Sequence, residues 1–265
     1  MQNARTRVPQ AAAHVVRDSL SSPGRMYRLP ILRHPSARPA AGNDPAWLFD
    51  LDNTLHDTSH AIFKRIDTSM ALAVQRMLDV DEDTAHALRQ KYWRRYGATM
   101  IGLVRHHGVD PRKFLALSHD FDIAPLVRSE SAMAHKLQQL RGRKILLTNA
   151  PLDYACAVLD HMNCLHLFDS LWGIEEMRLF GQFRPKPSRS MLRHILVREG
   201  LKADRTILVE DTLENLTAAR AVGLRTAYIY HPGTPFSRRN NGRPAFVDVR
   251  VRKFGQLLRE QQRLR

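Results

Sequence analysis

The 265-residue sequence predicts an α/β fold: a central parallel sheet with helices on both faces and a helical segment inserted near its start. Three features point there. Short apolar runs ending in polar or acidic residues recur along the chain, as buried parallel strands do at their C-terminal edge. Helical patterns separate those runs, and strand–helix alternation implies parallel pairing. The first run is followed by roughly 90 residues of amphipathic, helix-forming sequence, far too long for a loop.

Taken in chain order, residues 1–45 carry repeated Pro, Ser, Ala and Arg without a sustained period, the composition of a disordered basic leader. An Arg- and Ser-containing, acid-poor leader also has the character of an organellar transit peptide. The first strand is Ala46-Trp47-Leu48-Phe49-Asp50-Leu51-Asp52. Residues 54–143 form the expected helical insertion, with Ile62, Ile66, Met70, Ala73 and Met77 at helical spacing. Further strands are expected at 144–148, 206–211 and 226–230, and a short one at 170–173. Helices are expected over about 152–161, 188–199 and 213–222, with Gly200 and Gly223 as C-terminal caps of the last two. The core is therefore assigned to 46–53 and 144–231, and residues 232–265 to a basic C-terminal extension.

Composition narrows the functional classes. With 43% hydrophobic residues the chain can bury a core, yet no stretch approaches the roughly 20 apolar residues needed to span a bilayer. The N-terminal apolar runs are too broken for a secretory signal, so a cytoplasmic location is expected, with an organellar leader as the alternative. Cys156 and Cys164 are two thiols without a disulfide or zinc pattern. The net charge of +15 is concentrated at the ends: seven arginines face two acids in residues 1–45, and nine Lys/Arg face two acids in 232–265. The body is nearly balanced. Nucleic-acid binding through the basic tails is thus an alternative of a different class.

The polar strand ends converge where ligands bind in open parallel sheets, outside the carboxyl ends of the strands. Asp50 and Asp52 end the first strand, and both can face one site as the chain turns. Glu210-Asp211 ends another. Two such charges about 4 Å apart repel by about 4 kcal/mol at an effective dielectric of 20. A hard divalent cation relieves this, and Mg²⁺ characteristically takes one or two carboxylates plus water and phosphate oxygens. Thr148-Asn149-Ala150 precedes a helix start, where a hydroxyl and backbone N–H groups suit a phosphate oxygen. Lys186 sits between Pro185 and Pro187, which restrict the backbone that aims its ammonium. Each motif alone has a simpler reading, as a turn, a helix cap or a surface loop.

Together, and in this order, Asp50/Asp52/Thr54, Thr148, Lys186 and Glu210/Asp211 resemble the haloacid dehalogenase-like superfamily of hydrolases over about residues 46–231. The resemblance implies a three-layer α/β sandwich, Rossmann-like, with an inserted helical cap. It implies that Asp50 is a nucleophile forming an aspartyl-phosphate and that Asp52 is the general acid and base. Mg²⁺ would be bound by Asp50, the Asp52 backbone carbonyl and Asp211, with Glu210 an additional or outer ligand. Thr148, Asn149 and Lys186 would hold the phosphoryl group. Asp52 favours phosphoryl transfer over dehalogenation, because a halide leaving group needs no acid. Within the insertion, Tyr92-Trp93-Arg94-Arg95-Tyr96-Gly97, His106-His107-Gly108-Val109-Asp110 and His119-Asp120 resemble the pyrimidine 5′-nucleotidase branch. That resemblance implies a pyrimidine nucleoside 5′-monophosphate substrate, with Tyr96 and His119 as candidate nucleoside contacts. A phosphoglycolate- or sugar-phosphate-type phosphatase, or a phosphomutase, is the alternative.

Overall fold

Buried apolar side chains fill every position of the first strand, β1 (Ala46–Phe49), as a strand covered on both faces requires. The computed structural model describes residues 44–58, 61–232 and 242–264. The expected leader therefore lies outside the described residues, apart from Asp44 and Pro45. β1 pairs in parallel with β2 (Arg143–Leu147), and β2 pairs with β3 (Ser170–Trp172). A short antiparallel hairpin, β4 (Arg178–Leu179) and β5 (Gln182–Phe183), stands apart from the sheet. On its other side β1 pairs with β6 (Thr206–Glu210), followed by β7 (Arg225–Ile229) and β8 (Val249–Val251), all parallel. The order is β3-β2-β1-β6-β7-β8, which puts β1 and β6 side by side at the centre.

The helical insertion opens with α1 (Ile62–Leu78), α2 (Glu82–Tyr96), α3 (Thr99–His107) and α4 (Pro111–Ser118). Asp81 accepts from the Thr84 N–H at the start of α2, and Asp110 accepts from the Arg112 N–H with Pro111 in the first turn of α4. Their shared core includes Val74, Tyr92, Leu103 and Phe114. Gly102 lets α3 press against α2, since a Cβ there would lie about 2.0 Å from the Tyr92 ring. Ile174 and Phe183 from the sheet side join this core. α5 (Met133–Gln139), which the sequence grouped with the insertion, instead contacts α9 (Phe254–Glu260).

After β2 come α6 (Leu152–His161), α7 (Arg189–Glu199) and α8 (Leu213–Val222), and Gly200 and Gly223 take up left-handed capping conformations as expected. α7 and α8 cover the face carrying Leu48, Ile145 and Leu208. On the opposite face Phe49 stacks near Trp47 and meets Phe254 of α9. Helices therefore lie on both faces. Buried Glu199 fastens one end of the sheet. It accepts from Ser170 Oγ at 2.9 Å and Trp172 Nε1 at 2.8 Å, and pairs with Arg143.

One expectation is corrected. The sheet does not end near residue 231, because 242–264 supply β8 and α9, with Val249, Val251, Phe254 and Leu257 buried. The basic composition concealed this. Two of its arginines have local partners: Arg250 lies 4.7 Å from the Tyr230 ring, and the exposed Arg243 donates to the Asp248 carbonyl.

Candidate active site

Two extended ladders carry the site residues one step beyond the strands. The Asp50 N–H donates to Val209 O at 3.0 Å, and the Thr148 N–H donates to Trp172 O at 2.9 Å. Past Asp50 the chain must turn at once. Asn53 adopts φ 57°, a left-handed conformation that asparagine tolerates. Its Oδ1 accepts from both the backbone N–H and the hydroxyl of Thr58, at 3.1 and 2.8 Å. This turn leaves both Asp50 and Asp52 on the wall of one cavity.

At the floor, Lys186 Nζ donates to Asp50 Oδ1 at 2.6 Å and to Glu210 Oε2 at 2.7 Å. All three residues are buried. Asn149 aims that lysine: its side-chain Nδ2 donates to the Lys186 carbonyl at 3.0 Å while its Oδ1 accepts from the Lys186 N–H at 2.9 Å. The other oxygen of Asp50 lies 3.4 Å from the Thr54 hydroxyl. Glu210 Oε1 accepts from the Thr212 N–H at 3.2 Å.

Burial, then the charge of Glu210, pushes Asp50 up to about 7 against the pull of Lys186. Burial likewise pushes Glu210 up to about 7. For Lys186, burial works against the charge, but Asp50 and Glu210 outweigh it and raise its pKa. Lys186 is bonded to Asp50 and Glu210, and the buried carboxylate of Asp211 lies beside them. Oxygen atoms of these three carboxylates lie within 4.8 Å of one another. A donor set of hard carboxylate oxygens fits a Mg²⁺-like ion.

Asp52 lies above this floor. Tyr154 of α6 donates to Asp52 Oδ1 at 3.0 Å, and His56 Nε2 lies 3.0 Å from the same oxygen. Burial keeps the Tyr154 hydroxyl protonated. Neither Tyr154 nor His56 was singled out from the sequence. His56 follows Asp52 by four residues, but Tyr154 is brought in only by the placement of α6. Thr148 is buried on the cavity wall and its hydroxyl accepts from the Ala150 N–H at 3.1 Å.

The cavity measures about 810 Å³ and runs from this floor to the inserted helices, where Phe63, Lys64, Arg89 and Trp93 line it. His119 also lines it, its ring 5.3 Å from that of Tyr154, and desolvation pushes its pKa down to about 4. Tyr96 does not line the cavity. Its hydroxyl pairs with His106 Nε2 at 2.7 Å and its ring packs against the core of the inserted helices, so the structure does not bring it to the site. The neighbouring motif residues pack or cap: Tyr92 bonds His107, and Val109 enters the cap core.

Fold and site together define a class: a Rossmann-like α/β scaffold with a carboxylate–lysine centre at its strand ends, beneath inserted helices. Residues 47–229 match the family described as haloacid dehalogenase-like hydrolase, and the chain belongs to that family. Among curated proteins it is 27% identical to a phosphoglycolate phosphatase of Pseudomonas syringae pathovar tomato, over 78% of this chain and 77% of that one. Among solved structures it resembles a HAD phosphatase from Thermococcus onnurineus, with TM-score 0.56 and 19% identity over 82% of this chain and 97% of that one. It also resembles an L-2-haloacid dehalogenase from Xanthobacter autotrophicus, with TM-score 0.52 and 16% identity over 83% and 98%. The fold is thus common to phosphatases and dehalogenases, and the site must distinguish them.

Proposed function

We propose that this chain is a magnesium-dependent phosphate monoesterase working through an aspartyl-phosphate on Asp50. The observation that carries this reading is the buried Asp50–Lys186–Glu210 chain beside Asp211, with Asp52 on the wall of the same cavity. A carboxylate oxygen of Asp50 attacks phosphorus while the ester P–O bond breaks. Asp52 gives its proton to the departing ester oxygen, which leaves as an alcohol. Water then attacks phosphorus, Asp52 takes a proton from it, and the P–O bond to Asp50 breaks, restoring both residues and releasing phosphate.

Asp50, Asp211 and the Asp52 backbone carbonyl would hold Mg²⁺, with Glu210 as an additional or outer ligand, and the ion would neutralise phosphoryl charge. Lys186 holds the nucleophile's carboxylate and offers its charge to the phosphoryl oxygens. The Thr148 hydroxyl binds the phosphoryl group, and Asn149 acts by fixing Lys186. The dehalogenase reading has no use for a proton donor to its leaving group, which is what Asp52 supplies.

For the substrate, we favour a pyrimidine nucleoside 5′-monophosphate. Small-molecule sites commonly measure about 300–1,000 Å³. The cavity here is far larger than a two-carbon acid phosphate needs, and Phe63 and Trp93 offer it aromatic surface. A second reading, phosphoglycolate, is supported by the name of the curated relative and by Lys64 in the cavity wall, whose ammonium suits a carboxylate, whereas Arg89 there already pairs with Asp67. A phosphate-release panel over nucleoside monophosphates, phosphoglycolate and sugar phosphates, with Mg²⁺ or with chelator, tests both levels. The highest kcat/KM on uridine or cytidine monophosphate is expected. Preference for phosphoglycolate would replace the substrate and leave the chemistry standing, whereas phosphate release indifferent to Mg²⁺ would defeat the metal-assisted mechanism.

A further inference from the structure

Both donors to Asp52 converge on one oxygen. Tyr154 Oη and His56 Nε2 each lie 3.0 Å from Oδ1, and neither bond involves Oδ2. The His56 side chain is fully enclosed, and its Nδ1 has no hydrogen-bond partner among the described residues. Facing a carboxylate oxygen, the network assigns the hydrogen to Nε2. The His56 and Tyr154 rings lie 6.4 Å apart, and the His119 ring lies 5.3 Å from that of Tyr154, so both donors are held by packing.

The terminal torsion of an aspartate is broad, so an unrestrained carboxylate sweeps both oxygens through the site. Two donors on one oxygen fix the carboxylate plane. Proton transfer requires its oxygen within hydrogen-bond reach of the reacting atom, and small misplacements are costly.

We propose that His56 and Tyr154 are positioning residues for Asp52: they occupy Oδ1 and thereby present Oδ2 as the oxygen that exchanges the proton. This rests on the acid–base reading of Asp52. In the first step the Oδ2 proton passes to the ester oxygen as its bond to phosphorus breaks, and the carboxylate left behind keeps both donors on Oδ1. In the second step Oδ2 regains a proton from the attacking water as the Asp50–phosphorus linkage opens.

The test compares kcat/KM for two esters, because kcat/KM reports the steps up to first cleavage of the ester. p-Nitrophenyl phosphate has a leaving group that departs without a proton, whereas an alkyl phosphate, the best hydrolysed of the substrate panel, requires one. Tyr154→Phe and His56→Phe are expected to lower the alkyl value about 10-fold or more and the aryl value by less than about 3-fold. His56→Gln, which keeps an N–H donor, recovers most of the alkyl activity. If His56→Phe fails to fold by thermal melting, Tyr154→Phe decides, since it removes a single oxygen.

Equal losses on both esters overturn this inference while the phosphatase reading stands. Unchanged alkyl turnover in Tyr154→Phe and His56→Phe does the same. A wild-type protein that cleaves neither ester overturns the phosphatase reading and this inference together. One that cleaves only the aryl ester overturns the role of Asp52 as acid.

Discussion

Burying Asp50, Glu210 and Asp211 around one lysine makes the charge balance of this site depend on Lys186. Removing one partner of a buried ion pair typically costs about 3–5 kcal/mol, because the other charge is left uncompensated. Lys186→Ala is therefore expected to destabilise the metal-free protein by an amount of that order and to abolish turnover, as denaturant melts and phosphate release would show. Asp50→Asn removes a carboxylate whose pKa is pushed up to about 7, well above the usual carboxylate range. A carboxylate raised on folding binds its proton more tightly in the native state. Its stabilising contribution is thus greatest at low pH and is lost as pH rises from the unfolded value near 4 to about 7. In chelator, the Asp50→Asn protein should gain melting temperature relative to wild type across that window, while its phosphatase activity is absent. A wild-type advantage that grows with pH would contradict the burial of that charge. Lys186, raised from an already high value, stays charged throughout this range and does not alter the sign.

At the scale of elements, β8 and α9 are the parts that composition concealed. Phe254 is 1% exposed and lies 5.8 Å from the Phe49 ring beneath β1. Glu130 pairs with Lys136 of α5 and accepts from the Phe254 N–H, tying the return from the insertion to the start of α9. Phe254→Ala should cost about 3–5 kcal/mol, the usual range for emptying a large aromatic site in a core. Deleting residues 242–265 should prevent cooperative unfolding altogether, as read by calorimetry. Truncating the C-terminal segment is for that reason a poor test of nucleic-acid binding through its arginines, and point substitutions of exposed arginines are the better one. The Glu199 network has the same character: Glu199→Ala leaves Arg143 buried and should lower the melting temperature without changing KM.

For the whole molecule, a ligand that binds only the native state stabilises it by mass action, by about 2.7 kcal/mol at 100 times its dissociation constant. Mg²⁺ should accordingly raise the melting temperature at neutral pH in a concentration-dependent way, and Asp211→Asn should abolish that rise. The family's scaffold is legible in the chain because it is written locally. Apolar runs at β1, β2, β6 and β7 end in Asp50, Thr148, Glu210 and Ile229, and glycines cap α7 and α8. The acidic residues of the floor were legible for the same reason, since strand ends in a parallel sheet all emerge on one edge, whereas Lys186, in the loop before α7, stood out only by its flanking prolines. What lies across the cavity was not. Tyr154 approaches Asp52 from 102 residues away, Asn149 grips Lys186 across 37, and Tyr96 pairs with His106 instead of lining the cavity. Local sequence thus determined β1, β2, β3, β6 and β7, the glycine caps and the acidic residues of the floor, through periodicity and backbone preference. Only tertiary packing decided which helix face meets the cavity, which arginine-rich segment becomes a sheet strand, and which donors hold Asp52, because contacts between distant segments leave no periodic trace in either one.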